Sequence, residues 1–134
     1  MRKIVLILSV GLLLLLTACS NGTMYDLDSQ SLSWQTITAT QAKKIMTEAD
    51  NFILLDVRTE AEFQEKRIDG ALLIPYDEIR DRVEAELLDK NAVILIYCQS
   101  GRRSAQAAES LAALGYTNIY DFGGIIDWPY VTVK

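Results

Sequence analysis

A continuous apolar segment, residues 92–97 (AVILIY), constrains the fold of this chain more than any other stretch. A short apolar segment rich in β-branched residues is typical of a strand buried on both faces of a parallel sheet. Cys98 follows it directly, and the alanine-rich segment 104–111 favours a helix. The sequence therefore predicts a cysteine at the carboxyl end of a central strand, where open α/β sheets bind their ligands.

Segments typical of strands alternate with segments typical of helices from residue 34 to residue 128. The strand segments are short and apolar, and the helical segments repeat apolar residues every three or four positions. Besides the central strand, the predicted strands are 34–38, 52–57, 70–75 and 118–122, and the predicted helices are 41–49, 59–63, 77–88 and 104–114. This alternation predicts an α/β fold with a mainly parallel five-stranded sheet and helices on both faces.

The first 33 residues differ in composition from the rest of the chain. A positively charged start (Met1-Arg2-Lys3) precedes an apolar run over 4–16, and small residues precede Cys19. These parts in this order predict a secretory signal, because the apolar run is shorter than the ~20 residues of a membrane-spanning helix. The segment 16–19 (LTAC) resembles the lipobox of bacterial lipoproteins, which implies cleavage before Cys19 and a lipid on its thiol.

We therefore expect a signal peptide at 1–18, a lipidated Cys19 followed by a polar tether at 19–33, and one folded domain at 34–134. Two alternatives stay open, an uncleaved N-terminal anchor and an ordinary cleaved signal. In the favoured interpretation the domain is extracytoplasmic and lipid-anchored to a bacterial membrane, facing the periplasm or the cell surface.

Composition excludes several kinds of function. The formal net charge is −5, and an acidic chain lacks the basic face that nucleic-acid binding requires. The chain contains no histidine, which excludes imidazole metal ligands and Ser-His or Cys-His catalysis. We expect no metal ion and no cofactor. With Cys19 lipidated, Cys98 is left without a disulfide partner.

The loop after the central strand is the candidate reactive site. A helix N-terminus and nearby arginines lower the pKa of a cysteine thiol, and glycine permits a loop whose N–H groups converge on an anion. The alternative is a buried, inert cysteine. The candidate nucleophile is Cys98, and the residues predicted to form the anion cradle are Gln99, Ser100, Gly101, Arg102 and Arg103.

The spacing of the loop bears on which anion it binds. Cysteine-dependent phosphatases place an arginine after five intervening residues, but Ser104 occupies that position here and Arg103 comes after only four. The cradle is one residue shorter, which argues against a phosphate monoester, although a phosphatase or an arsenate-handling enzyme stays open as a third alternative. Cys-x-x-Cys exchange is excluded because the loop has no second cysteine.

Residues from about 36 to 128 resemble a single rhodanese domain. The motifs that carry the resemblance are Asp56-Val57-Arg58, Glu62-Phe63, Ile68 with Gly70-Ala71 and Ile74-Pro75, the loop from Cys98 to Arg103, and Gly123-Gly124 with Trp128. The resemblance implies a three-layer sandwich and sulfane sulfur transfer: Cys98 takes the outer sulfur of a donor such as thiosulfate as a persulfide and passes it to cyanide or a thiol.

The resemblance also suggests roles for individual residues. Arg103 is expected to hold the loop and the charge of the donor, and Arg102 to face solvent and attract anions. Asp56 and Arg58 are expected to support the loop or the donor, or to be only structural. A monomer is expected. The alternative function is a non-catalytic relay of sulfane sulfur or a protein-docking module at the membrane surface.

One segment departs from the family pattern. Many members carry Gly-His-Ile-Pro-Gly-Ala where this chain has the residues at 66–71, with Arg67 in place of the histidine and Asp69 in place of the proline. The histidine is not the nucleophile of the family, so the departure leaves catalysis open. It bears instead on the surroundings of the loop and on the choice of donor.

Overall fold

The computed structural model describes residues 34–134, and the predicted signal peptide, Cys19 and the tether lie outside the described residues. The strands are β1 (Trp34–Thr36), β2 (Ile53–Asp56), β3 (Leu72–Leu73), β4 (Val93–Cys98) and β5 (Asn118–Gly124). The helices are α1 (Ala39–Glu48), α2 (Glu60–Glu65), α3 (Ile79–Glu86) and α4 (Arg102–Ala113), and a 3₁₀ turn, Ile125–Asp127, follows β5. None of these helices is long and apolar enough to cross a membrane.

The five strands form one sheet in the order β1-β5-β4-β2-β3, and every pairing between them is parallel. The predicted α/β architecture and its mainly parallel five-stranded sheet are therefore confirmed. Strand β4 occupies the centre, with β2 and β5 on either side. The carboxyl end of β4, where Cys98 lies, is flanked by the carboxyl ends of β2 and β5.

Apolar side chains cover both faces of the sheet. Along β4, Ile94 and Ile96 pack with buried residues of α3 and α4, whereas Leu95 and Tyr97 pack with α1 and the chain after β5. Successive side chains of a strand point to opposite faces, so a strand covered on both sides is apolar throughout. This explains why 92–97 contains no polar residue apart from the Tyr97 hydroxyl, and it confirms helices on both faces.

Two element boundaries differ from the sequence-based prediction at the loop itself. Helix α4 begins at Arg102, two residues before the predicted start, because Gly101 has a φ of 101° and turns the chain directly into the helix. Strand β5 continues past Phe122 to Gly124, which pairs with Cys98 after a register shift. The loop after β4 is therefore only three residues long.

Candidate active site

Cys98 lies at the floor of the site. It is the last residue of β4 and only 1% exposed, and it is the free cysteine of the described residues. The N–H of Gly101 donates a hydrogen bond to Cys98 Sγ over 3.0 Å. The structure places Cys98 at the predicted strand end, and of the predicted cradle residues Gly101 and Ser100 direct their N–H groups at the sulfur.

The surroundings of the thiol favour its anion. Burial raises the pKa of Cys98, but hydrogen bonds from the Ser104 hydroxyl and from the N–H groups of Ser104, Gly101 and Ser100 lower it, and the pKa ends below its ordinary value. Donors fixed in a buried site stabilise a thiolate without having to reorganise. The loop can therefore hold a thiolate, and equally a persulfide anion.

Glycine is required where β5 passes behind the loop. A Cβ on Gly124 would lie 2.4 Å from Gln99 O and 2.7 Å from Ser100 Cα. The N–H of Ile126 donates to Gln99 O over 3.3 Å, which fixes the peptide that turns the chain away from Cys98. Gly124 thus serves close packing against the loop, whereas Gly123 has open space at its Cβ position and is required for its φ of 86°.

Two buried polar residues behind the loop are missing from the sequence-based set of site residues. Ser104 is fully buried. Its hydroxyl oxygen lies 2.9 Å from Gly101 O, and its single proton can be donated either to that carbonyl or to the Cys98 sulfur. Asp121 in β5 accepts from the N–H of Gly123 at 2.9 Å, and burial raises the pKa of its carboxyl group despite this contact and one from Ser104. Asp121 could have been singled out from the sequence, because it is an aspartate within a predicted strand.

Arg103 forms an ion pair with Glu62 on α2. Its Nη1 and Nη2 donate to the two carboxylate oxygens over 2.8 and 2.7 Å. The Arg103 hydrogen bonds, helped by those from Thr59, lower the pKa of Glu62 to about 2 although burial opposes them. Arg103 therefore joins the start of α4 to α2 through two of its N–H donors, and its charge also acts on Cys98.

Asp56 and Arg58 form a second, fully buried ion pair beside the loop. Arg58 Nε and Nη2 donate to Asp56 oxygens at 2.9 and 2.6 Å, and Nη2 also donates to Lys66 O over 2.6 Å. Burial lowers the pKa of Arg58, but the Asp56 carboxylate outweighs it and leaves the pKa raised. Tyr97 completes the group by accepting a hydrogen bond from the Ile68 N–H at 3.1 Å.

The segment 66–69, which departs from the family pattern, is held by hydrogen bonds from Arg58 to Lys66 O and from the Ile68 N–H to Tyr97. Arg67 pairs with Val133 in an antiparallel bridge, and its guanidinium carbon lies 4.8 Å from the centre of the Phe63 ring. The segment 66–69 contributes no residue to the cavity above the loop. Arg58 thus connects this segment, through Lys66 O, to the cavity above the loop, which Arg58 also lines.

A cavity of about 490 Å³ opens above the Cys98 loop. It is lined by Arg58, Thr59, Pro75, Tyr76, Asp77, Gln99, Ser100, Arg102 and Arg103. The site residues predicted from the sequence include the loop and Arg58 but not residues 59 and 75–77. These residues follow β2 and β3, and only the parallel arrangement of the sheet brings them to the same edge as the loop. Within 34–134, no group of acidic or cysteine side chains could hold a metal ion.

Comparison with known proteins agrees with this geometry. The family model for the rhodanese-like domain matches residues 38–129, which is most of the described chain. The protein belongs to the rhodanese family, and the resemblance seen in its motifs is thereby confirmed. The predicted sandwich architecture is likewise that of the solved rhodanese structures it matches.

Its relatives include sulfurtransferases. The chain is 38% identical to thiosulfate sulfurtransferase PspE of Escherichia coli over 80 residues, 60% of this chain and 77% of that protein. It is 34% identical to a sulfurtransferase of Allochromatium vinosum over 104 residues, 77% and 86% of the two chains.

Solved structures match as well. A rhodanese with anions from E. coli has a TM-score of 0.59 at 36% identity, over 63% of this chain and 99% of that one. A rhodanese-like domain protein from Staphylococcus aureus has a TM-score of 0.63 at 34% identity, over 70% and 90%.

Proposed function

We propose that this protein is a sulfurtransferase that moves sulfane sulfur from a donor such as thiosulfate to a thiol or cyanide through a persulfide on Cys98. The observation that carries the proposal is the hydrogen bond of 3.0 Å from the Gly101 N–H to Cys98 Sγ, together with the other loop donors that lower the thiol pKa. The sulfurtransferases among its relatives support the same reaction class.

The reaction needs a nucleophile and a site for negative charge, both of which the loop supplies. The Cys98 thiolate attacks the outer sulfur of thiosulfate, forming a new S–S bond. The original S–S bond breaks, and sulfite leaves with its electron pair. An acceptor thiolate or cyanide then attacks the outer sulfur of the persulfide, and the Cys98 thiolate departs.

The loop assists both steps through the same donors. Negative charge resides on a sulfur atom near Cys98 in the thiolate, in the persulfide and in both transition states. N–H groups fixed by Gly101 and by the packing against Gly124 stabilise that charge without rearranging. Ser104 adds a hydroxyl donor from the first turn of α4.

Thiosulfate:cyanide turnover by the purified full-length chain tests this proposal, with Cys98→Ser as the inactive comparison. Thiocyanate formation that depends on Cys98 is the expected result. Absence of turnover above the Cys98→Ser background with several sulfur donors would overturn it. A persulfide detected by mass spectrometry without turnover would favour the alternative, a sulfane-sulfur relay.

We further propose that the chain is an extracytoplasmic lipoprotein with its lipid on Cys19. The ordered signal-like parts of residues 1–19 support this proposal. Cells fed a labelled fatty acid should incorporate the label into the wild-type protein and not into Cys19→Ser. Equal labelling of the two proteins, or no labelling of either, contradicts the proposal.

A further inference from the structure

A buried carboxyl group that the proposed reaction does not use lies behind the Cys98 loop. Asp121 is 4% exposed and lies in β5, where it pairs with Ile96 of β4. Side chains two positions apart on a strand share a face, so Asp121 points to the same side as Ile119, which packs with Ile96 and Cys98 in the core beneath α4. The Asp121 carboxyl group and the reactive sulfur therefore lie on the same face of the sheet.

The hydroxyl group of Ser104 connects the two. Ser104 is fully buried in the first turn of α4, and its hydroxyl contacts both the Asp121 carboxyl group and the Cys98 sulfur. Its oxygen also lies 2.9 Å from Gly101 O and 3.4 Å from Gly123 O. A hydroxyl group has one proton to donate, and carbonyls, a carboxylate and a thiolate all accept it. A proton that Ser104 donates to Asp121 is therefore withheld from Cys98.

The elements packed around Asp121 bring no compensating charge to its carboxyl group. Its partners in the neighbouring strands are Thr36 of β1 and Ile96 of β4, and neither side chain is charged. The two arginines in the first turn of α4 have other partners, Gln106 for Arg102 and Glu62 for Arg103. Within residues 34–134, the Asp121 carboxyl group therefore forms no ion pair.

The titratable group that shares Ser104 with Asp121 is Cys98. The other contact of the carboxyl group in the described chain is the Gly123 N–H, at 2.9 Å. Burial raises the pKa of Asp121 above its ordinary value although both contacts oppose the rise. Two groups that are both negative when ionised, and that share one donor, titrate as a linked pair. The carboxylate and the thiolate thus compete for the Ser104 proton.

We propose that Asp121 is a positioning residue for the Cys98 thiolate and that it acts through Ser104. When Asp121 is ionised it accepts the Ser104 proton, and the thiolate is left to the N–H groups of the loop. When Asp121 is neutral it donates its own proton to Ser104 Oγ, and Ser104 donates to the sulfur. This role rests on the proposed function only for the use of the thiolate in sulfur transfer.

The pH profile of Cys98 alkylation by iodoacetamide tests this role in the full-length chain. The peptide that contains Cys98 is followed by mass spectrometry. Asp121→Asn keeps the shape of the side chain and an acceptor for the Gly123 N–H, but it stays neutral and donates an N–H to Ser104 at every pH. Its alkylation midpoint should lie about half a pH unit to one pH unit below that of the wild type, which is the shift from one additional hydrogen bond to the sulfur.

The steepness of the profile gives a second readout. A single ionisation lowers the alkylation rate about tenfold per pH unit below the midpoint, and a linked group changes that slope where it takes up its own proton. The wild-type rate should therefore fall less steeply over part of this range, because a newly neutral Asp121 releases Ser104 to the sulfur. The rate of Asp121→Asn should keep the full slope throughout.

Two further comparisons separate the route through Ser104 from other effects. Asp127→Asn removes an exposed carboxylate in the 3₁₀ turn after β5, and its profile should match that of the wild type. Ser104→Ala and the double variant Ser104→Ala/Asp121→Asn should have the same midpoint as each other, because the connection is already lost. An Asp121→Asn shift of equal size with and without Ser104 would mean that the carboxylate acts by its charge alone, which overturns the proposal.

The outcomes for Asp121 are independent of the outcome for sulfur transfer. An Asp121→Asn midpoint equal to or above that of the wild type overturns the role of Asp121, whether or not thiosulfate is turned over. If Asp121→Asn does not fold, the wild-type profile decides, and a full slope at every pH below the midpoint overturns the role. A lowered midpoint in Asp121→Asn, in a chain that transfers no sulfur, supports the role of Asp121 and removes only the proposed reaction.

Discussion

The guanidinium of Arg103 and the carboxylate of Glu62 form a two-point ion pair, at 2.7 and 2.8 Å, across 41 residues of sequence. The pair joins the first turn of α4 to the first turn of α2, and both side chains are mostly buried. It also shares Glu62 with the N-terminal cap of α2, where that carboxylate accepts from Thr59. One carboxylate thus couples a helix cap to the position of the Cys98 loop.

Replacing Glu62 by Gln should remove about 1–2 kcal/mol from the free energy of unfolding, because the amide keeps the shape but not the charge, and both groups retain some contact with water. The Glu62 pKa falls from 4.5 to about 2 on folding, so this contribution is complete above about pH 4.5 and is lost as the pH falls towards 2. Urea denaturation of both proteins across this range measures it.

Glu60→Gln is the matched control, since Glu60 lies on the same turn of α2 and its side chain accepts, among residues 34–134, a single hydrogen bond, from the exposed Gln64 amide. The free energy of unfolding of Glu60→Gln should differ little from that of the wild type at every pH. A Glu62→Gln difference that persists undiminished near pH 2 would contradict the role assigned to the ion pair.

Replacing Ser104 by Ala should move the pH midpoint of Cys98 alkylation upwards. The Ser104 hydroxyl is one of the groups that lower the thiol pKa, and its loss leaves burial less opposed. A smaller thiolate fraction should slow reaction with iodoacetamide about threefold to tenfold below the midpoint, which corresponds to the roughly 0.5–1.5 kcal/mol net contribution of a typical hydrogen bond. Ser110→Ala, in the same helix but away from the loop, should leave the pH profile of alkylation unchanged. The same pH profile in the wild type, Ser104→Ala and Ser110→Ala would refute the role of Ser104.

Replacing Gly124 by Ala should abolish sulfur transfer and destabilise the fold, because its Cβ would overlap Gln99 O and Ser100 Cα and push the loop away from Cys98. Gly70→Ala separates this effect from ordinary backbone strain. Gly70 has a φ of 80° but open space at its Cβ position, so its variant should lose about 1 kcal/mol of stability and keep its activity. Activity in Gly124→Ala close to that of Gly70→Ala would disprove the packing requirement.

Replacing Arg67 by His, the residue found there in many family members, should change kcat/KM for thiosulfate by less than about twofold, a typical result for a substitution remote from the cavity. The backbone of Arg67 pairs with Val133 and its side chain stacks on Phe63, so neither reaches the cavity over the loop. Steady-state kinetics beside the wild type measure the effect. An increase or decrease of tenfold would show that this segment influences the donor.

The described core of the fold follows from local sequence patterns. Uninterrupted apolar runs predicted the parallel strands, because a strand covered by helices on both faces has no position that favours a polar side chain. Thr59 and Glu62 have the spacing of a capping box and form one at the start of α2. Cys98 at the end of the central strand placed the candidate site before any distance was known.

Other features were decided only by the tertiary structure. Asp77 and Tyr76 reach the cavity because β3 ends at the same edge of the sheet as β4, and nothing in their own segment indicates it. Gly124 belongs to a motif of the family resemblance, but the reason that a glycine is needed there is the backbone of Gln99 and Ser100, which leaves no room for a Cβ. Such contacts join residues far apart in sequence, so no local pattern records them.

The two adjacent arginines show the same division most clearly. From the sequence alone, Arg102 and Arg103 follow the same glycine and differ by one position. One position in a helix rotates a side chain by about 100°, which turns Arg103 towards Glu62 and Arg102 towards the cavity mouth. The sequence determined that two positive charges follow Cys98 closely, and the position of Glu62 on α2 decided which of them is paired with a carboxylate.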